Sequence, residues 1–145
     1  MFLKSAKFLI DGVMGGYNAT VFAYGSTGAG KTHTMLGTPS DPGIMGQSIQ
    51  ELFDSIDKYS DERDYKLKIS YVEVYNEVIK DLLSGKNTAL ELREDAVKGI
   101  QVAGVIEVMT TNTKEIMNYI HKGNQARSKE RTDANEASSR SHAVL

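Results

Sequence analysis

The run Gly25-Ser26-Thr27-Gly28-Ala29-Gly30-Lys31-Thr32 constrains this chain more than any other stretch. Glycine reaches backbone conformations closed to other residues, and here it recurs three times just ahead of a lysine and a threonine. On its N-terminal side, Ala19-Thr20-Val21-Phe22-Ala23-Tyr24 is nearly continuous in apolar and β-favouring residues. Bounded by Gly16 and Gly25, that segment reads as a strand buried on both faces of a parallel sheet. A helix is expected from Lys31 onward. Strand, glycine loop and helix together predict an α/β fold, with a mostly parallel central sheet flanked by helices.

The eight residues satisfy G-x-x-x-x-G-K-[ST], the phosphate loop of nucleoside triphosphatases. Glycines let successive N–H groups turn inward, so a triphosphate can be cradled without side-chain obstruction. The helix that follows aims its partly positive end at the same spot. Lys31 is placed to neutralise β- and γ-phosphate charge, and the Thr32 hydroxyl to take one position in an octahedral Mg²⁺ shell. A chance match is roughly a one-in-two-hundred event at ordinary residue frequencies. The glycines are therefore read as making room for phosphates rather than as an accidental turn.

Composition narrows the alternatives. With 145 residues the chain is read as one domain, able to bury about 70% of its unfolded surface. No apolar run approaches the ~20 residues of a membrane helix, and Met1-Phe2-Leu3-Lys4 does not open a secretory signal. Without cysteine there are no disulfides and no thiolate metal sites. The net charge of −2 supplies no global basic field for nucleic acid or another acidic polymer, so any acidic partner must be met by a local patch.

Elsewhere the periodicity predicts a first helix with Phe2, Ala6, Leu9 and Val13 on one face, stopped by Gly15-Gly16. Gly37 to Gly43 holds both prolines and reads as a surface loop. A second helix places Ile49, Leu52, Phe53 and Ile56 together. Lys66 to Tyr75 alternates as one long strand, with Ile69, Val72, Val74 and the tyrosines expected in the core. Leu90 to Val108 suggests a small antiparallel appendage. Asn112 and Glu115 form a capping pair for a helix carrying Ile116, Tyr119 and Ile120. Ser141 to Leu145 looks like the start of a further strand. His121 and His142 lack partners at metal-ligand spacing.

Three segments, "GYNATVFAYGSTGAGKTHTM" (Gly16 to Met35), "SYVEVYNEVIKDLL" (Ser70 to Leu83) and "NEASSRSH" (Asn135 to His142), resemble in order and spacing the kinesin motor domain. The likeness is nearest to the eighth kinesin class. It implies a phosphate-loop ATPase head that uses ATP/ADP and Mg²⁺ and works on microtubules in the cytoplasmic cytoskeleton, with no nucleic-acid or membrane partner. The phosphate cradle is then Gly25, Ser26, Thr27, Gly28, Ala29, Gly30, Lys31 and Thr32, with His33 near the adenine. By the same resemblance Asn135 contacts the γ-phosphate and Ser138 holds the attacking water through its carbonyl. Ser139 approaches phosphate and Mg²⁺ alongside Thr32, and Arg140 pairs with a glutamate of the second switch. Asp81-Leu82-Leu83-Ser84-Gly85 is rejected as that second switch, because its glycine falls one residue late for D-x-x-G.

The family's first strand, second switch and main microtubule-binding elements have no counterpart in these residues, which are read as part of a motor domain, 1–145. Oligomeric state, direction and cargo are expected to be set by segments not present. The competing readings are a nucleotide-binding module without turnover and a non-functional fragment.

Overall fold

The computed structural model describes residues 2–97, 99–129 and 141–145, in two compact units, Met1–Tyr65 and Lys66–Leu145. In the first unit, α1 (Phe2–Ser5) and α2 (Lys7–Met14) are separated at Ala6. There the Leu9 amide donates to the Ala6 carbonyl at 3.0 Å, the tighter i→i+3 closure of a 3₁₀ turn. The expected first helix is thus interrupted. Its buried stripe is Phe2, Ala6 and Ile10, while Val13 is exposed. The glycine stop holds, with Gly16 at φ +95° just beyond α2.

α3 (Lys31–Leu36) and α4 (Ile44–Lys58) flank the expected proline loop, which is pinched shut where Gly37 pairs with Pro42. Phe2, Ala6 and Ile44 form the core cluster, with Met35 packed against it. Burying a side chain of the size of Phe2 or Ile44 stabilises by about 1.5–3 kcal/mol. The Lys7 ammonium, 2.9 Å from the Glu51 carboxylate, ties α2 to α4.

The strand expected over Ala19 to Tyr24 does not form: residues 17–25 carry no strand, Phe22 is 80% exposed and Tyr24 95%. Apolar, β-favouring composition proposes a strand, but cross-strand pairing makes one. Among its described residues the first unit holds no strand to pair with.

The second unit carries every described strand: β1 (Lys68–Ile69), β2 (Val72–Tyr75), β3 (Val78–Asp81), β4 (Ala89–Asp95), β5 (Gly99–Ala103), β6 (Val108–Met109) and β7 (His142–Val144), with α5 (Thr113–Lys129) between the last two. The strands make a β1-β6 pair and a five-stranded sheet in the order β5-β4-β3-β2-β7. Every ladder is antiparallel, which corrects the expectation of a mostly parallel sheet. The connections explain this, because parallel neighbours need crossovers of a dozen or more residues. Tyr75 pairs with Val78 across only Asn76 and Glu77, and Asp95 with Gly99 across a similarly short turn. The appendage expected near Leu90 to Val108 is the β4–β5 hairpin, joined to the sheet through β3.

The long strand expected over Lys66 to Tyr75 is split at Ser70-Tyr71, and its two parts join different sheets. Ile69, Tyr71 and Glu73 are buried, whereas Val72 and Val74 are only half-buried. The tyrosines likewise divide, Tyr71 lying in the core and Tyr17, Tyr24 and Tyr75 exposed. On α5, Ile116 and Ile120 are fully buried and Gly123 faces the Tyr71 ring. A Cβ on Gly123 would lie 2.7 Å from the Tyr71 ring, so the absent side chain is what lets the ring sit there. At the head of α5 the Asn112 side-chain oxygen Oδ1 accepts from the Lys114 amide at 2.8 Å, an N-cap. Glu115 bonds the Thr110 hydroxyl rather than the Asn112 amide, so only half of the expected reciprocal cap is made. Ser141 to Leu145 contributes β7 as expected, in register with β2 through Val74–His142 and Glu73–Ala143.

Candidate functional site

The geometry of the glycine loop follows from its residues. Gly28 and Gly30 have left-handed backbones, φ +81° and +84°, and a Cβ added to either would meet no atom within 4 Å. Backbone conformation, not packing, therefore demands glycine at both, and the space beside them is open. Gly30 is also the N-cap residue of α3, so Lys31 and Thr32 occupy its first turn. Among the described residues, the only amide from Ser26 to Gly30 bonded within the chain is that of Ala29, to the Ser26 carbonyl at 3.2 Å. The amides of Ser26, Thr27, Gly28 and Gly30 are left to donate to an outside acceptor.

The Lys31 ammonium lies 2.8 Å from both the Gly25 and Ser26 carbonyl oxygens, which holds a positive charge over the loop. Thr32 and His33 are exposed at its rim, on α3. Open amides, a fixed ammonium and a free hydroxyl form a donor set with no carboxylate among it. Such a set fits a polyanion, and the Thr32 hydroxyl fits a hard cation carried with that anion. Gly25 to His33 lie on this loop and the first turn of α3. Asn135, Ser138, Ser139 and Arg140 lie outside the described residues.

Two groups in the second unit show what sequence reasoning caught and what it missed. Asp81, set aside as the second switch, is consumed by the fold. One carboxylate oxygen accepts from the Leu83 and Ser84 amides at 2.7 and 3.2 Å, and the other from Ile106 at 2.7 Å. Missed altogether was Arg127 on α5, whose side chain is 11% exposed. Its Nε lies 3.1 Å from Glu73, itself 8% exposed, and its Nη2 lies 2.7 Å from the Ser141 hydroxyl. The signal was there to read: Ile116, Ile120, Gly123 and Arg127 recur at four, three and four residues, placing a charge on the buried stripe of α5. Glu73 correspondingly continues the alternation of Ile69 and Tyr71. Beside this pair, burial raises the Tyr71 hydroxyl above its ordinary 10.0 and the Glu73 charge adds to the rise, against the opposing pull of Arg127 and Asn124.

With loop and sheets in place, comparison with known proteins assigns the class. The kinesin motor domain family model matches residues 1–145. Kinesin-like protein KIF19 of Homo sapiens is 54% identical over 145 residues, 100% of this chain and 14% of that protein. Kinesin-like protein KIN-8B of Arabidopsis thaliana is 51% identical over 144 residues, 98% of this chain and 18% of that protein. Among solved structures, that of a fast kinesin superposes with a TM-score of 0.90 at 38% identity, covering 98% of this chain and 41% of the other. A KIF14 dimer in the two-heads-bound state, with AMP-PNP and in complex with a microtubule, gives 0.86 at 38% identity with the same coverage. The chain belongs to the kinesin motor domain family, and its likeness falls on the eighth class, as expected from its sequence. It spans less than a fifth of the length of these curated relatives.

Proposed function

We propose that this chain is the ATP-binding part of a kinesin-type motor that couples ATP hydrolysis to movement along, or remodelling of, microtubules. Residues 1–145 would form part of one motor domain, acting in the cytoplasmic cytoskeleton. The observation that carries the reading is the loop Gly25 to Thr32, with its open amides and the Lys31 ammonium above them. Relatedness to KIF14, solved with AMP-PNP in complex with a microtubule, supports a nucleotide ligand and a microtubule partner.

In this reading the amides of Ser26, Thr27, Gly28 and Gly30 bind the polyphosphate, and the Lys31 ammonium leaves the Gly25 and Ser26 carbonyls for the β- and γ-phosphates. Exchanging two neutral carbonyl acceptors for anionic phosphate oxygens adds the attraction of opposite charges to bonds that the ammonium already makes charge-assisted. Thr32 and Ser139 would hold Mg²⁺, which when bound offsets charge on the phosphate oxygens. His33 would lie against the adenine. By the family resemblance Asn135 contacts the γ-phosphate, the Ser138 carbonyl orients water, and Arg140 awaits a glutamate of the second switch.

Mg-ATP at about 100 times its Kd should stabilise the chain by about 2.7 kcal/mol, raising its melting temperature by about 5–10 °C. Lys31→Ala should melt like the parent without nucleotide, because its ammonium bonds only exposed carbonyls, and should lose the nucleotide shift. A shift that survives in Lys31→Ala would overturn the assignment. Phosphate release stimulated by polymerised tubulin from the full-length protein tests the motor reading, and a shift without release identifies a binding module.

A further inference from the structure

Strand β7 joins the sheet without the feature that ordinarily places a strand. Register is strongly set where alternate side chains are buried on one face, but His142, Ala143 and Val144 are all exposed. The ladder supplies backbone pairing, with Val74 opposite His142, Glu73 opposite Ala143 and Val72 opposite Val144. Every residue of β7 carries the same N–H and C=O, so backbone bonds alone would serve a shifted alignment equally well. Side-chain burial on β7 therefore does not select these pairs over those a step along.

What distinguishes the observed register is the residue that leads into β7. Arg127 Nη2 donates to the Ser141 hydroxyl at 2.7 Å and lies 3.5 Å from the Ser141 carbonyl oxygen. The guanidinium has little freedom of its own. Its Nε donates to Glu73 of β2 at 3.1 Å, and its Nη1 meets the Asn124 side-chain oxygen at 3.4 Å, an oxygen that also accepts the Tyr71 hydroxyl at 2.9 Å. Arg127 is thus fixed against β2, the strand on which β7 must find its place. A slip of two residues, the smallest that keeps each side chain on its face, moves Ser141 about 7 Å along β2. Neither contact to Nη2 survives such a shift.

We propose that the Arg127–Glu73 pair is a register clamp: the guanidinium, held by β2, captures Ser141 and so selects the one alignment in which β7 pairs with β2. A buried ion pair is a weak source of stability, because both charges give up hydration, and fixing the registry of chain segments is the best-attested use of such groups. The clamp also guards the sheet, since without β7 that side of β2 would offer a row of unpaired backbone groups. It works within the second unit, whatever the glycine loop binds.

Cysteine reporters read the register directly, since this sequence has no cysteine of its own. In Val74→Cys with His142→Cys the two positions face each other in the observed register. In Val74→Cys with Val144→Cys they do so only after a slip of two, and disulfides form readily between directly opposed positions but poorly between diagonal ones. Each pair is oxidised in a glutathione redox buffer in the full-length protein, in the parent, Ser141→Ala, Ser141→Thr and the joint swap of Glu73→Met with Arg127→Met, beside a melting curve for each. The parent should favour the observed-register disulfide by at least about tenfold. Ser141→Ala should lower that preference by about tenfold, the scale of one hydrogen bond to a charged group, with a melting temperature close to the parent's. Ser141→Thr, which keeps the hydroxyl, should retain the preference. The joint swap replaces the pair by apolar side chains of similar size, so it should melt no lower than the parent yet join the slipped cysteines as readily as the aligned ones. A parent-like preference in Ser141→Ala or in the joint swap overturns the proposal. So does a fall of both disulfides in Ser141→Ala together with a lower melting temperature, which would mark the bond as structural only. Should the joint swap not fold, Ser141→Ala decides alone.

Discussion

The loop from Gly25 to Thr32 and the cluster of Tyr71, Glu73, Asn124, Arg127 and Ser141 solve opposite problems with opposite means. In the loop the shape is set by backbone angles at Gly28 and Gly30, side chains play little part, and most amides are unpaired within the chain. In the cluster the shape is set by side chains, joined by hydrogen bonds of 2.7 to 3.5 Å under cover of α5. A surface meant to receive a ligand keeps its hydrogen-bonding capacity unspent, while one meant to hold chain segments together uses it internally. The same difference decides where substitutions act, with loop changes expected to alter binding and cluster changes to alter folding.

Glu73→Ala presses that contrast hardest. It leaves the Arg127 guanidinium buried without its carboxylate, a loss of about 3–5 kcal/mol, visible as a large fall in the urea midpoint. A loss under ~1 kcal/mol would mean that water reaches Arg127 and that the two regions differ less than their burial implies. Tyr71→Phe is milder, about 0.5–1.5 kcal/mol for one hydrogen bond to Asn124. It also carries a pH signature. Burial raises the Tyr71 hydroxyl above its ordinary 10.0, so the folded state holds this proton more tightly than the unfolded state does. That contribution is complete below pH 10 and is lost as pH climbs from 10 through the raised value. Stability measured from pH 9 upward should fall less steeply in Tyr71→Phe than in the parent. Equal slopes would show that the hydroxyl is not held protonated by its surroundings.

Legibility in the sequence followed the same divide. Gly25 to Thr32 could be read directly because local backbone demands leave a local signature, three glycines and a lysine at fixed offsets. Asn112 as a cap and β7 at Ser141 to Leu145 were legible for the same reason. The segment Ala19 to Tyr24 was misread because a strand is a relation between segments, and its composition says nothing about which partner strands are present. The sheet direction was misread with it, since the parallel expectation rested on that strand, whereas the two-residue turn at Asn76-Glu77 already required an antiparallel pair. Arg127 and Glu73 went unnoticed because each looks like an ordinary surface charge until its helix or strand period is extended by one more step. Burial of a charge is visible only when both periodicities are followed together.

The smallest expected effect sharpens the comparison at the level of the backbone. The loop adopts left-handed angles with glycine, but the second unit does so with side chains attached, at Asn76 (φ 48°) and Glu77 (φ 64°). Tyr75 and Val78 pair directly across these two residues, so the hairpin closes with two positive-φ positions, the pattern of a type I′ turn. Asparagine suits the first position, and glycine is the favoured residue at the second. Glutamate there bears the left-handed cost of about 1–2 kcal/mol. Glu77→Gly removes that cost but frees the unfolded chain, which takes back about 0.5–1 kcal/mol. A net gain of about 0.5 kcal/mol is expected, read as a higher urea midpoint with an unchanged slope. If Glu77→Gly instead destabilises, the glutamate side chain must contribute to the hairpin by more than its strain, and left-handed angles with side chains would be a device of this unit rather than a tolerated expense.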